Sequence, residues 1–197
     1  MILHDQSLLP TAPSVPVGTT WTITEDTTWE VPATGSYQIE MHGGGGGGAQ
    51  SSSTLASGGG SGEIYEQSLI KGSMIAVTIG VGGEAGPPSA YGDNSGEDGG
   101  TTTFGTLSLP GGGCGSVVKE GYYAVPYAGD ASGSLGEAGS AATDVYPDGP
   151  SSITGGAGNR TNPAQNYGNG GGAYYKFSSN KGGYPGTSGA VIVTYLG

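Results

Sequence analysis

Six stretches of the chain alternate apolar and polar residues with a period of two, the pattern of a half-buried β-strand. "TTWTIT" (19–24) sets Trp21 and Ile23 against threonines, and "TTWEVP" (27–32) carries Trp29 and Val31 before a proline. "SYQIEMH" (36–42) puts Tyr37, Ile39 and Met41 on one face and Gln38, Glu40 and His42 on the other. "EIYEQSLI" (63–70) and "SMIAVTIGV" (73–81) follow, the second aligning Ile75, Val77, Ile79 and Val81. "AVIVTYL" (190–196) closes the chain. No segment carries a 3.6-residue period, so the expected fold is all-β, a small antiparallel β-sandwich.

Between about 82 and 187 this signal nearly vanishes. Only "TTTFGTLSLP" (101–110) reads as a strand there, and the rest is glycine, serine, alanine and tyrosine. The simplest expectation is a long glycine-rich loop insertion in a domain spanning 18–197. A hundred structureless residues would be unusual in a compact domain. If they are ordered, their backbone groups need partners outside ordinary sheets. Glycine allows one solution, polyproline-II-like strands of three residues per turn packed side by side with no Cβ between them. Gly80/83/86, Gly133/136/139 and Gly183/186/189 have the required spacing. Three triples against roughly two expected from composition do not establish the period. The six glycines of "QIEMHGGGGGGAQ" (38–50) pose the question most sharply, because they begin where a good strand ends. Residues 1–17, with Pro10, Pro13 and Pro16, read either as an extended attachment arm or as an ordered strand beside the domain.

Composition narrows the function. The 197 residues include 44 Gly, 12 Pro and 12 Tyr, yet only 11% are charged, fewer than a disordered chain normally carries. Five Lys and Arg against 16 Asp and Glu give a net charge of -11, which repels phosphate backbones and anionic membranes. Neither nucleic acid nor membrane insertion is expected, and the N-terminus lacks the basic and apolar regions of a signal peptide. A single cysteine, Cys114, leaves no internal disulfide framework.

In order along the chain, "TWEVPATGSYQIEMHGGGGGGA", "GSGEIYEQSLIKGSMIAVTIGVGGEAG", "GEDGGTTTFGTLSLPGGGCG" and "GTSGAVIVTY" resemble the glycine-rich domain of bacteriophage tail-fibre and tail-tip proteins. The resemblance spans roughly 18–197 and lapses between about Gly115 and Lys181. It implies a virion protein made in the host cytoplasm, without enzymatic activity, that recognises a host cell-surface polysaccharide or protein. It also suggests a homotrimer, with other virion proteins held through the N-terminal arm. The alternative is a structural virion component (a head decoration, fibre segment or baseplate accessory) whose loops bind neighbouring subunits.

Catalytic and metal chemistry find little support. His4 and His42 are the only histidines, so no Cys/His zinc set can be assembled, and no cofactor motif is present. Asp93, Ser95, Glu97 and Asp98 in "YGDNSGEDGG" echo a calcium loop, but turn chemistry explains them more simply. The tyrosines are more informative. Tyr122, Tyr123 and Tyr127 form one group; Asn166, Tyr167, Tyr174 and Tyr175 form another; Tyr146 lies between. Tyrosine among Gly, Ser and Asn suits adaptable recognition, and its ring can stack on a sugar. The competing reading is that these rings cover the glycine strands as a local core. These eight residues are the receptor-binding candidates.

Overall fold

The computed structural model describes residues 15–50, 54–87, 95–120, 123–139, 141–143, 154–155, 158–159, 167–172 and 183–197. No helix occurs among them; the regular elements are strands. In chain order these are β1 (Thr20–Ile23), β2 (Thr27–Glu30), β3 (Gly35–His42), β4 (Ala49–Gln50), β5 (Thr54–Ala56), β6 (Glu63–Leu69) and β7 (Met74–Thr78). Then come β8 (Thr102–Phe104), β9 (Leu107–Leu109), β10 (Ser116–Glu120), β11 (Tyr123–Tyr127), β12 (Ala141–Thr143), β13 (Thr154–Gly155), β14 (Gly158–Asn159) and β15 (Ala190–Tyr195).

Two four-stranded antiparallel sheets make a sandwich-like base, one in the order β1-β15-β3-β6 and the other β2-β7-β8-β9. The alternation in β3 determines which face turns inward. Tyr37, Ile39 and Met41 are fully buried, together with Val31, Val77, Phe104, Val191 and Val193. Trp21, Trp29, Tyr65 and Tyr195 close the edges of this core. Trp29 meets Tyr37 edge-on at 5.9 Å and Trp21 at 5.7 Å between ring centroids, arrangements that favour the ring quadrupoles. Tyr37 donates its hydroxyl proton to the Ala33 carbonyl at 2.7 Å, and burial pushes its pKa up.

The stretch 101–110, expected as one strand, is the hairpin β8–β9, turning at Gly105 with φ of 58°. This hairpin completes the second sheet, so the 82–187 region is no simple insertion outside the sandwich. The alternation at 73–81 also breaks earlier than its pattern suggests. Pairing stops at Thr78, and Val81 is 70% exposed because the chain has by then left the sheet.

The chain enters a second layer, and the hexaglycine run forms its axis. Gly44 and Gly47 donate to the carbonyls of Gly100 and Glu97; Gly45 and Gly48 donate to Thr187 and Tyr184; Gly46 donates to Gly59. In return Gly112 and Gly115 donate to Gly44 and Gly47, Gly83 and Gly86 to Gly45 and Gly48, and Gly171 to Gly46. Partners recur every third residue on each side, the repeat of a polyglycine-II strand. Six neighbours surround 43–48: three antiparallel segments that accept its N–H groups, and three parallel segments that donate to its carbonyls.

The same bonding extends outward to a lattice. Glu97 and Gly100 donate in turn to Glu84 and Val81, while Gly186 and Gly189 donate to Gly83 and Gly80. Segments 43–48, 80–86, 111–115, 136–139 and 168–172 run away from the sandwich, and 57–62, 96–100, 129–132 and 183–189 run back. At about 3.1 Å per residue, the central segment is roughly 19 Å long. Gly46 shows why the side chain must be hydrogen: a Cβ there would overlap the Gly113 carbonyl.

Passing from sheet to lattice changes the direction in which backbone groups point, and two buried hydroxyls bridge the mismatch. Thr102 Oγ1 donates to the His42 carbonyl at 2.7 Å and accepts the Gly80 N–H at 2.9 Å. Ser61 Oγ donates to the Pro110 carbonyl at 2.6 Å and accepts the Gly43 N–H at 3.2 Å. A hydroxyl can donate and accept at once, which a buried apolar residue cannot do.

Candidate functional site

The outward-running segments carry the chain to the end of the lattice opposite the sandwich. There β4, β5 and β12 form a small sheet in the order β12-β5-β4, and β10–β11 form a hairpin. Ala49, Ala56 and Val117 make a second, minor core beneath them. The chain departs at Pro87, Gly115 and Gly172 and re-enters at Ser95, Ala128 and Gly183, so these excursions start from one end of a fixed scaffold.

The tyrosine groups expected from the sequence divide on this scaffold. Tyr127 ends β11 at the far end, paired with Ser116 and 47% exposed. The Tyr123 backbone pairs with Glu120 at the other end of the same hairpin. Tyr167 lies elsewhere: it precedes the outward segment 168–172, beside the sandwich, with its ring 6.4 Å from that of His42. The length of the lattice, about 19 Å, therefore separates the levels of Tyr167 and Tyr127. Tyr122, Tyr146, Asn166, Tyr174 and Tyr175 lie outside the described residues.

A groove of about 500 Å³ opens beside Tyr167. Among the described residues, Thr24, Thr187, Ser188 and Gly189 line it too. Of these residues only Tyr167 stands out in the sequence as a binding candidate; the other four come from two distant parts of the chain, and Gly189 reads there only as part of a glycine triple.

His42, expected on the outward face of β3, is half-buried at the root of the lattice. Its Nε2 sits 2.8 Å from Glu40 Oε1 and its Nδ1 3.3 Å from the Ser61 carbonyl. Glu63 fastens the turn between 129–132 and 136–139. Its carboxylate accepts from the Ser134 hydroxyl at 2.6 Å and the Ser134 N–H at 2.8 Å, which holds its pKa below the usual carboxylate value. That turn requires Gly133, whose φ of 72° is left-handed.

Cys114 lies between lattice and solvent. Burial, reinforced by a hydrogen bond to the Asp98 side chain, pushes its thiol pKa up to about 11. Asp98 Oδ1 also accepts the Cys114 N–H at 2.7 Å, so this carboxylate serves the lattice edge. Alkylation of the native protein by iodoacetamide should therefore titrate near pH 11, against about 8.5 in urea. Because the folded state keeps the thiol proton longer, stability should fall as pH rises from the unfolded pKa toward the folded one. Equal midpoints in the two conditions would contradict this assignment. Among the described residues no group of three His, Cys, Asp or Glu side chains could hold a metal ion; Asp93 lies outside them.

No helix among the described residues is long and apolar enough to cross a membrane. No curated protein matches the chain. Residues 20–161, well over half of the chain, match the model of a family described as a glycine-rich domain. That span takes in seven of the nine lattice segments and all but one strand of the sandwich, and on this match the chain belongs to the glycine-rich domain family.

Proposed function

We propose that this chain is a non-enzymatic bacteriophage virion protein, a tail-fibre or tail-tip domain that recognises a host cell-surface polysaccharide or protein. One observation carries the reading: the up-and-down lattice holds the ends of successive excursions at one end of a rigid block. Loops mounted on a rigid scaffold are a general design for recognition, since they can vary without disturbing the core. The exposed Tyr127 and the Tyr, Ser and Asn content of the excursions supply adaptable contacts.

The test must spare the scaffold. Deleting 117–178 whole would remove segments 129–132, 136–139 and 168–172, and with them one side of the central strand. Replacing only 88–94 and 173–182 with Gly-Ser sequences of equal length leaves every lattice segment in place. Fluorescently labelled protein should bind cells of at least one strain in a bacterial panel, and the replacement should weaken that binding at least tenfold. The melting temperature should stay within about 2 °C. Binding to no strain, or undiminished binding after replacement, would contradict the reading.

A second reading, a structural virion component, draws on the opposite end of the molecule. There Val17, Ile70 and Met74 are more than 60% exposed, close to the start of the described chain. Immunogold labelling of virions separates the two: label at the tail tip supports recognition, and label on the head or along a shaft supports a structural part.

A further inference from the structure

We infer that the groove at the junction of sandwich and lattice is a binding subsite for a neutral saccharide, separate from the surface at the far end. Among the described residues its lining is uncharged: Tyr167, Thr24, Thr187, Ser188 and Gly189. Tyr167 is 40% exposed and its side chain lines the groove. Thr24 and Ser188 are also exposed, and their hydroxyls can each donate and accept. An aromatic ring beside exposed hydroxyls matches a sugar ring, which presents C–H groups on one side and hydroxyls around its rim. A volume of about 500 Å³ accommodates a mono- or disaccharide, within the range of small-ligand sites.

Charge selects against other ligands of this size. The chain has five cations against 16 acidic residues, and a phosphate or carboxylate would find no cation among the described lining residues. Glu40, paired with His42 behind Tyr167, and Glu25, next to Thr24 in sequence, add to the repulsion of an anion. A purely apolar ligand would strip water from hydroxyls without replacing their hydrogen bonds.

The walls are fixed in advance, which lowers the ordering cost of binding. The Gly168 N–H donates to the Ser188 carbonyl at 3.0 Å and the Gly189 N–H to the Gly80 carbonyl at 2.8 Å. Thr187 Oγ1 accepts the Asn169 N–H at 2.8 Å, tying the two wall segments together. Gly168, at φ of 65°, turns the chain sharply after Tyr167, and a Cβ there would overlap the Ser61 carbonyl. Tyr167 is thus held by the lattice rather than by a free loop.

The test is a titration of the ¹⁵N-labelled full chain with glucose, galactose, mannose, maltose and lactose, following amide shifts. At least one sugar should shift the Thr24, Ser188 and Gly189 amides saturably at millimolar concentration. Tyr167→Ala should weaken that binding at least tenfold and Tyr167→Phe should preserve it, with all other amides unchanged in both variants. If Tyr167→Ala disturbs the lattice amides, Ser188→Ala supplies the comparison and should weaken binding at least threefold. No shift at these amides with any of the five sugars, or shifts indifferent to Tyr167→Ala and Ser188→Ala, would overturn the inference. Cell attachment through the far end is read separately, so either result leaves that reading to its own test.

Discussion

Gly46→Ala and Gly59→Ala should each destabilise the protein by about 3 kcal/mol or more in urea unfolding, whereas Gly60→Ala should change stability by less than about 1 kcal/mol. The three substitutions add the same methyl group within the same pair of neighbouring segments. At Gly46 the Cβ would overlap the Gly113 carbonyl, which accepts the Gly59 N–H at 2.8 Å. At Gly59 it would overlap the Asp130 carbonyl. The obstacle in both cases is backbone, and the backbone cannot withdraw without breaking hydrogen bonds to further segments. Each buried N–H or C=O left unpaired costs about 1–3 kcal/mol. At Gly60 the nearest atom would be the Gly168 carbonyl oxygen at 3.4 Å, an ordinary contact. There the loss of backbone freedom in the unfolded chain works in favour of alanine. Equal effects at Gly59 and Gly60 would mean that close packing is not what requires glycine.

Phe104→Ala should cost about 3–5 kcal/mol, the range for removing a fully buried phenylalanine. Phe104 is 1% exposed and its ring lies 5.8 Å from that of Trp29, so the cavity would open in the middle of the sandwich core. The position has a second consequence. Hairpin β8–β9 sits between lattice segments 96–100 and 111–115, and both bond directly to the central strand. Loosening the hairpin frees the anchored ends of both segments. Urea unfolding followed by tryptophan fluorescence, which reports the sandwich, and by glycine amide signals, which report the lattice, should show one shared transition displaced to lower urea. Separate transitions would show that the layers fold independently.

The sandwich was legible because its strands have a solvent face and a core face. Tyr37, Ile39 and Met41 alternate with polar residues for that reason, and they are the fully buried residues of β3. The lattice was far less legible, and the reason is geometric. A peripheral strand touches neighbours on only part of its circumference, so glycine is needed at every third residue. Gly80, Gly83 and Gly86 are buried while Val81, Glu84 and Pro87 are exposed. A central strand touches neighbours all round, and all three residues of its turn must be glycine. The hexaglycine run therefore shows no period, although it is the most ordered use of the three-residue repeat. Counting isolated triples missed it because the run itself was the signal.

The candidate site was legible only in part. Tyr127 is exposed at the far end. Tyr167 is not grouped there, because it lies beside the sandwich, where segment 168–172 starts outward. The partners of Tyr167 in the groove, Thr24 and Ser188, stand more than 20 residues from it on either side in sequence. Buried hydroxyls were equally silent: Ser61 and Thr102 look like ordinary turn residues until the change from sheet to lattice is seen around them.

The central claim is that the hexaglycine run is the hydrogen-bonded axis of the domain, and native-state hydrogen exchange of the Gly44–Gly48 amides tests it most directly. Each of these N–H groups donates to a carbonyl of a neighbouring segment, at 2.8–3.0 Å, with no route to water short of opening the lattice. Their exchange should be slow and close to that of the buried β3 and β15 amides, as expected where opening requires global unfolding. Exchange within seconds, as in an unstructured glycine linker, would contradict the account.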